Sequence, residues 1–183
     1  MTPNRAVFLT GFMGAGKTSV GAALARRRAC AFYDLDALVV ERAGRSVAEI
    51  FQTSGETEFR RLESDALSGL LARLGETGAG AVIALGGGTQ TVAENMCGMR
   101  EAGGILVALE APVEVLFGRT RKASGTRPLA QDEIAFRQLH ASRQPHYLAA
   151  DVRVDSATGD MEAVAGRIED AIAAWSGDRR EKR

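Results

Sequence analysis

The chain has 183 residues, of which 45% are hydrophobic and 25% are charged, a composition typical of one globular domain with a sizeable core. Lysine plus arginine and aspartate plus glutamate number 23 each, so no basic excess indicates binding to nucleic acid or to an anionic membrane. No apolar run reaches the roughly 18 residues of a membrane span, and an apolar strand begins too early for a signal peptide. These features exclude the membrane and nucleic-acid classes and predict a cytoplasmic protein.

Short apolar runs alternate with helical patterns along the chain, which predicts a parallel sheet covered by helices on both faces. The predicted strands are 6–10, 31–34, 81–85, 105–109 and 152–154. The predicted helices are 18–28, a short helix from Ser46, a long helix through 59–74, a helix over 92–102, one opened by Pro112, one from Asp132 that Pro145 disturbs or ends, and one through 164–175. Capping-box spacing at Ser46–Glu49 and Thr53–Glu56 marks the start of the short and the long helix.

The remaining segments show neither the helical nor the strand periodicity of apolar residues. Residues 121–131 combine glycine, serine and charge, which predicts a mobile lid within a single domain of residues 1–176. Residues 177–183 are highly charged and are expected to form a disordered tail. The two cysteines, Cys30 and Cys97, have no metal-ligand spacing and are expected to be buried thiols.

The segment from Gly11 to Thr18 reads GFMGAGKT and matches the phosphate-binding pattern G-x-x-x-x-G-K-[ST] between a predicted strand and a predicted helix. Gly14 and Gly16 allow the backbone to approach a polyphosphate with its N–H groups, and the helix N-terminus adds a positive dipole. The alternative is a glycine-rich turn with a chance lysine, which the strand–loop–helix context disfavours. The motif therefore predicts a site for ATP.

Each polar residue of this loop has an expected role. Lys17 is expected to reach the β- and γ-phosphates and to stabilise the transferred group. Thr18 offers a hydroxyl to Mg²⁺, and Ser19 adds a phosphate contact. Ala15 supplies a backbone contact within the same loop.

The motif specifies a nucleotide but not a reaction, because GTPases, metabolite kinases and motor ATPases all share it. The Asn-Lys-x-Asp run by which GTPases recognise guanine is missing from the sequence, and a motor would be longer or oligomeric. The size and layout of the chain therefore favour a small kinase that acts as a monomer.

Two aspartates follow the second predicted strand. Asp34 and Asp36 lie at its carboxyl end, where ligands gather in open α/β sheets. One carboxylate can hold Mg²⁺ through water, and the other can accept a proton from an attacking hydroxyl. A solvated acidic turn in which Asp36 caps the next helix is the alternative interpretation.

Two further patterns have both a functional and a structural interpretation. Glu56 and Arg60 are spaced for a surface ion pair on a helix, and this spacing alone favours that simple role. Residues 86–88 read Gly-Gly-Gly after an apolar strand, which suits either a backbone contact to a ligand or a flexible turn.

Together these motifs resemble those of the shikimate kinases, small P-loop enzymes that phosphorylate the 3-hydroxyl of shikimate with ATP. The resemblance runs from about Ala6 to about Trp175. It rests on the order and spacing of GFMGAGKT at 11–18, DLD at 34–36, GETEFRRLE at 55–63, GGG at 86–88, RPL at 127–129, and Arg143 with Tyr147.

The resemblance implies a role for each charged residue of the acceptor site. Asp36 resembles the carboxylate that binds the hydroxyls of shikimate and positions or deprotonates the attacking one, and Asp34 resembles the residue that supports Mg²⁺ through its water shell. Arg60 and Arg143 resemble the two arginines that hold the carboxylate of shikimate, a task suited to a planar charged fork. Glu63 resembles the carboxylate that orients Arg60. Without the resemblance, Arg143 is interpreted as a solvated helix residue.

Other roles follow from the same resemblance. Gly87 and Gly88 are expected to contact the substrate through their backbone, and Phe51 and Phe59 to wall its pocket. Arg127 resembles a catalytic lid arginine that reaches the phosphates; by itself it is interpreted as a solvated loop charge.

The adenine side departs from the family pattern. Arg119 matches one adenine-side arginine of the family, but the turn at 155–160 lacks the basic Asn-Arg-Arg-like sequence that members often carry. The adenine contacts are therefore less well predicted than the phosphate contacts.

The resemblance implies a five-stranded P-loop fold of the nucleoside-monophosphate-kinase type with strand order 2-3-1-4-5. The implied reaction forms 3-phosphoshikimate and ADP in chorismate and aromatic amino-acid biosynthesis, with Mg²⁺ as cofactor. A gluconate-type sugar-acid kinase is one alternative, which Gly55–Arg60 and Gly86–Gly88 disfavour. A nucleotide-dependent regulatory module without catalysis is another, which the joint presence of Lys17, Asp36 and Arg127 disfavours.

Overall fold

The protein is described here by a computed structural model that covers residues 5–123 and 132–178. Its five strands fall where the sequence predicts them, whereas the helix Leu35–Ala43 that follows the second strand was not predicted. In chain order they are β1 (Val7–Gly11), α1 (Lys17–Arg27), β2 (Ala31–Asp34), α2 (Leu35–Ala43), α3 (Val47–Thr77), β3 (Ala81–Ala84), a 3₁₀ helix (Thr89–Thr91), α4 (Ala93–Glu101), β4 (Ile105–Glu110), α5 (Val113–Ala123), α6 (Glu133–Leu148), β5 (Val152–Asp155) and α7 (Met161–Asp178).

The five strands form one parallel sheet in the order β2-β3-β1-β4-β5, which confirms the predicted order. Strand β1 lies at the centre, where Leu9 is in register with Ala84 of β3 and Val107 of β4. All five residues of β1 are buried, whereas β5 alternates buried and exposed residues at the edge of the sheet. The run of apolar residues in β1 thus reflects burial on both faces.

Each face of the sheet has its own apolar core. On one face, Leu9 and Val107 pack with Leu24 of α1 and Ile168 of α7. On the other face, Phe8 and Ile83 pack with residues of α2, α3 and α4 that include Leu35, Leu67 and Met99. In open α/β sheets of this kind, ligands bind at the carboxyl ends of the strands.

Helix α3 contains the largest difference from the predicted elements. The capping box of Ser46 and Glu49 is present, and it begins the helix as expected. The break between the short and the long helix falls at Gly55, which has φ 78° and ψ 179°. Thr53 does not act as predicted, because its hydroxyl donates to the Glu49 carbonyl oxygen at 2.7 Å. A glycine that adopts a conformation closed to other residues therefore sets the boundary.

Smaller differences concern the ends of helices. Helix α5 includes residues 121–123, which were expected in the lid, and α7 extends to Asp178. Pro145 lies inside α6 without ending it, because it stands in the last turn, where its missing N–H removes only one hydrogen bond. Residues 124–131 and 179–183, the rest of the predicted lid and tail, lie outside the described residues.

The expectation of two buried thiols is wrong. Cys97 is exposed on α4, where its thiol contacts Glu101, and Cys30 is only partly buried. None of the helices described is long and apolar enough to cross a membrane.

Candidate active site

The predicted site residues of β1, β2 and β3 meet at the carboxyl edge of the sheet. Gly11 ends β1 and begins the phosphate-binding loop, Asp34 ends β2, and the glycine turn of residues 86–88 follows β3. Because these strands are adjacent and parallel, the three segments lie side by side. The sheet thus places the expected nucleotide and acceptor groups next to one another.

Glycine is required in the phosphate-binding loop by its backbone. Gly14 has φ 83° and Gly16 has φ 90°, which L side chains rarely adopt. A methyl group on Gly14 would also stand 2.5 Å from the Leu116 carbonyl oxygen of α5. The loop is therefore fixed by its own conformation and by the helix packed against it.

Lys17 begins α1 and folds back over the loop. Its Nζ donates to the carbonyl oxygens of Gly11 at 2.8 Å and Phe12 at 3.3 Å. Ala15 is buried, while Thr18 and Ser19 are exposed in the first turn of α1. The first turn thus presents hydroxyl groups at a helix N-terminus, where anions bind favourably.

Asp34 connects the loop with the next helix. Its Oδ2 accepts from the Thr18 hydroxyl at 2.8 Å, and its Oδ1 accepts from the backbone N–H of Asp36 at 3.1 Å. Asp34, and not Asp36, therefore caps α2. The alternative in which Asp36 serves as the cap is wrong, which leaves the Asp36 side chain at the exposed site edge.

Thr18 and Asp34 have the chemistry of a magnesium site. A hydroxyl and a carboxylate oxygen are hard ligands of the kind that Mg²⁺ accepts together with water and substrate phosphates. In residues 5–123 and 132–178, no group of three or more His, Cys, Asp or Glu side chains could hold a metal by itself. Such sparse protein ligation fits a metal that shares its coordination with a nucleotide.

Two carboxylates gather at Gly86. A methyl group there would overlap the carboxylate of Glu63 and stand 3.0 Å from Asp36 Oδ1. Glu63 is fully buried, whereas Asp36 is exposed. The missing side chain of Gly86 therefore makes room for a buried structural carboxylate beside an accessible one.

Arg60 is held by acidic partners on its own helix. Its Nη1 donates to Glu63 Oε2 at 2.8 Å, and its Nη2 donates to Glu56 Oε1 at 3.1 Å. Glu63 also accepts from the Thr89 hydroxyl at 2.7 Å. Burial lowers the pKa of Arg60, but the hydrogen bonds and charges of Glu63 and Glu56 outweigh it and raise the pKa overall. The guanidinium group thus has both a fixed orientation and a permanent charge.

The two predicted arginines approach adjacent residues of the glycine turn. A methyl group on Gly88 would stand 2.6 Å from Arg60 Nη2, and one on Gly87 would stand 2.7 Å from Arg143 Nη1. Arg60 comes from α3 and Arg143 from α6, so the fold brings together cations that are 83 positions apart in the sequence (143 minus 60). Both side chains are partly buried and keep access to the site.

An aromatic pair lies beside Arg60. The rings of Phe51 and Phe59 are 4.8 Å apart, and the Arg60 guanidinium carbon is 5.3 Å from the centre of the Phe59 ring. Phe59 is buried, whereas Phe51 is 40% exposed. An exposed ring next to a cation is suited to the apolar face of a small anionic ligand.

The turn after β5, which the resemblance assigns to the adenine side, is held by arginines outside it. Arg119 donates to the carbonyl oxygens of Ser156 at 2.8 Å and Ala157 at 3.0 Å. Arg167 of α7 donates to the carbonyl oxygens of Asp155 at 3.0 Å and Thr158 at 2.6 Å. The turn lacks its own arginines, but two neighbouring helices supply them.

Sequence reasoning missed the contributions of Thr89 and Arg167. Thr89 follows directly on the glycine turn, and that adjacency was the available signal. Arg167 lies on the amphipathic α7, where a single arginine gives no local signal. Arg127 lies outside the described residues, so its predicted phosphate contact stays a prediction.

A complete phosphate-binding loop, a 2-3-1-4-5 parallel sheet and a polar second site at the same edge define a small P-loop kinase. A family model described as shikimate kinase matches residues 13–173. The chain belongs to the shikimate kinase family.

Known relatives agree with this assignment. A shikimate kinase of Geobacter sulfurreducens is 44% identical over 167 residues, which cover 90% of this chain and 88% of that relative. The structure titled shikimate kinase from Acinetobacter baumannii in complex with shikimate superposes with a TM-score of 0.83 at 33% identity, and the match covers 93% of both chains. A gluconokinase of Sinorhizobium meliloti matches with a TM-score of 0.58 at 20% identity, over 97% of this chain and 99% of that one. The gluconokinase shares the fold alone, so the comparison gives no support to the gluconate alternative.

Proposed function

We propose that this chain transfers the γ-phosphoryl group of ATP to the 3-hydroxyl of shikimate, giving 3-phosphoshikimate and ADP for aromatic amino-acid biosynthesis. The observation that carries the proposal is the approach of Arg60 and Arg143 to the glycine turn, beside Asp36. Two guanidinium groups from different helices form a site for a carboxylate, and the carboxylate of Asp36 stands beside it for a hydroxyl. The acceptor is therefore a small molecule that carries both groups.

Arg60 is the stronger of the two carboxylate ligands in this proposal. Its contacts with Glu63 and Glu56 use only some of its five N–H donors and fix the plane of the fork before the acceptor arrives. Preorganisation of this kind lowers the conformational entropy lost on binding. Arg143 completes the carboxylate site from α6, while the exposed ring of Phe51 and the buried ring of Phe59 contact the carbocycle.

Asp36 is proposed to orient the acceptor hydroxyl and to accept its proton. The hydroxyl oxygen forms a bond to the γ-phosphorus while the bond from that phosphorus to the β,γ-bridging oxygen breaks, and the leaving electrons remain on ADP. The proton passes to the carboxylate of Asp36 and then to solvent, for which the exposed position of Asp36 is suitable. Direct transfer requires no covalent intermediate.

Lys17 is proposed to stabilise the charge of the transferred phosphoryl group. Its Nζ donates to the Gly11 and Phe12 carbonyl oxygens, which positions the ammonium group over the loop. The Thr18 hydroxyl and Asp34, directly or through water, would hold Mg²⁺, which when bound neutralises phosphate charge. Backbone N–H groups from Gly14 to Ser19 bind the phosphates.

Two arginines complete the nucleotide side of the proposal. Arg119 holds the turn after β5, and it is proposed to support the nucleobase. Arg127 is proposed to contact the phosphates during transfer, so Arg127→Ala should lower kcat more than it raises the KM for shikimate. We propose that the protein works in the cytoplasm and that it is a monomer. Light scattering of the purified protein tests the monomeric state.

A panel of acceptors tests the proposed reaction. ADP release is measured with ATP, Mg²⁺ and either shikimate, shikimate methyl ester or gluconate. We expect rapid turnover with shikimate, a much higher KM for the methyl ester because the carboxylate contact is lost, and no turnover with gluconate. Turnover with gluconate in place of shikimate would overturn the proposal, and equal KM values for shikimate and its ester would refute the role of the arginines.

A further inference from the structure

Gln90 is a buried polar residue for which neither the family resemblance nor the reaction gives a role. It lies in the 3₁₀ helix directly after the glycine turn and is 5% exposed. Within the part of the chain that the structure describes, neither its amide oxygen nor its amide nitrogen has a hydrogen-bond partner. Buried amides are nearly always paired, so an unpaired one at the edge of the site requires an explanation.

The backbone around Gln90 is fixed by its neighbours. Thr91 donates its hydroxyl to the Gly88 carbonyl oxygen at 2.7 Å, and Asn95 donates its amide to the Thr89 carbonyl oxygen at 3.1 Å. These bonds hold the backbone on both sides of Gln90, next to the turn that carries Gly87 and Gly88. An apolar side chain of the same size would satisfy burial without leaving polar atoms unpaired.

Tyr147 is the polar group that faces the Gln90 amide. Its hydroxyl donates to the Gly87 carbonyl oxygen at a long 3.3 Å, and it lies one helical turn beyond Arg143 on α6. Burial raises the pKa of the Tyr147 phenol, while Arg143 and the Gln90 amide, which both approach its oxygen, act in the opposite direction. The Gln90 amide is thus close to the phenol oxygen without reaching the geometry of a full hydrogen bond.

Arg143 and the Gln90 amide both approach this one oxygen. When Arg143 turns to an acceptor carboxylate, the phenol oxygen loses the guanidinium group beside it. Gln90 can then supply an N–H to the same oxygen, and the tyrosine keeps its bond to the Gly87 carbonyl.

We propose that Gln90 is a positioning residue for the acceptor: its amide nitrogen donates to the Tyr147 hydroxyl when Arg143 binds the acceptor carboxylate. The amide of Gln90, which has no hydrogen-bond partner among the described residues, becomes paired when the acceptor is bound. Gln90 thereby favours the acceptor-bound orientation of Arg143 without touching the acceptor. The inference rests on the proposed role of Arg143 as a carboxylate ligand.

Gln90→Met tests the proposal, because methionine keeps the length of the side chain and removes its polar atoms. We expect the KM for shikimate to rise about three- to tenfold, the range for loss of one neutral hydrogen bond, while kcat and the KM for ATP stay within about twofold. The melting temperature should stay the same or rise, since an unpaired buried amide has been replaced by an apolar group. A purely structural role for Gln90 predicts the reverse, a lower melting temperature and an unchanged KM.

A double-mutant cycle with Tyr147→Phe tests whether Gln90 acts through the Tyr147 hydroxyl. If Gln90 acts through the tyrosine hydroxyl, Gln90→Met should have no further effect on the KM for shikimate in the Tyr147→Phe protein. Gln90→Leu is measured in parallel so that a poor fit of methionine does not decide the result, and Gln138→Met on the exposed face of α6 is the control.

The outcomes separate this inference from the proposed function. Absence of turnover with shikimate in the unaltered protein would overturn the function itself. Normal turnover together with an unchanged KM in Gln90→Met and Gln90→Leu would overturn only the inference. A KM increase that is equally large in the Tyr147→Phe background would also overturn it, because the effect would not pass through the hydroxyl.

Discussion

The phosphate-binding loop and the glycine turn at 86–88 both follow central strands of the sheet, but they use glycine for different physical reasons. In the loop, Gly14 and Gly16 have positive φ, and the backbone itself is the binding surface. In the turn, Gly88 has φ −128°, which any residue can adopt. What matters there is the space that the absent side chains leave for guanidinium groups.

The two regions also differ in what limits a substitution. A methyl group on Gly14 would meet the Leu116 carbonyl oxygen, which belongs to a helix backbone and cannot move alone. A methyl group on Gly88 would meet the end of the Arg60 side chain, which can move. The nucleotide side therefore depends on a rigid backbone, and the acceptor side depends on side chains held by other side chains.

The largest expected effect tests the nucleotide side. Lys17→Ala should lower kcat by about 10²- to 10³-fold, which is the range for removal of one group that stabilises transition-state charge. The circular dichroism spectrum should stay that of a folded protein, since the side chain is only partly buried. Near-normal turnover in the folded variant would contradict the assignment of Lys17.

The next effect tests whether the acceptor side depends on its buried carboxylate. Glu63→Gln should lower the free energy of unfolding by about 3 kcal/mol, at the low end for breaking a buried ion pair because Arg60 keeps contact with solvent. The KM for shikimate should rise while the KM for ATP does not. Glu56→Gln is the matched control, because Glu56 pairs with the same arginine from an exposed position. Equal losses of stability in the two variants would mean that burial of Glu63 has no special role.

Alanine at each glycine region tests the comparison directly. Gly14→Ala should destabilise the protein by about 2 kcal/mol or more, because it adds a strained φ to a backbone clash. Gly88→Ala should leave the melting temperature nearly unchanged and raise the KM for shikimate by displacing Arg60. If both variants lost stability and kept the KM for shikimate, the distinction between conformation and space would be wrong.

The smallest effect concerns the shape of the cation. Arg60→Lys keeps the charge but loses the planar fork, so the KM for shikimate should rise about tenfold with little change in the KM for ATP. Arg61→Lys is the control, because Arg61 lies next to Arg60 on α3 and forms ion pairs with Glu58 and the exposed Asp65. Steady-state kinetics of both variants would decide the matter, and an unchanged KM in Arg60→Lys would refute bidentate recognition.

Sequence patterns predicted strands and helix starts correctly where these depend on interactions between neighbouring residues. The strand at 31–34 and the capping box at Ser46 agree with the structure because both depend on neighbouring residues. The spacing of Thr53 and Glu56 satisfies the same pattern, but the helix breaks at Gly55. The boundary is set by the glycine inside this second pattern, whose positive φ interrupts the helix, and the capping spacing alone does not show that.

The candidate site required information that local patterns do not contain. Helical spacing indicated the ion pair of Glu56 with Arg60, and that pair is present. The buried partner, Glu63, was assigned through the family resemblance, and its bond to Thr89 joins residues 26 positions apart. The support that Arg167 gives to the turn after β5 likewise depends on tertiary packing.

Asp34 has a consequence for how the two substrates affect each other. One of its oxygens accepts from Thr18 on the nucleotide side, and the other caps the helix that begins beside Asp36 on the acceptor side. A ligand that moves one of these contacts changes the free energy of the other. Thermodynamic reciprocity then requires that ATP alter the dissociation constant of the acceptor by the same factor by which the acceptor alters that of ATP. The dissociation constant of each substrate, measured with and without the other, therefore tests whether Asp34 couples the two sites.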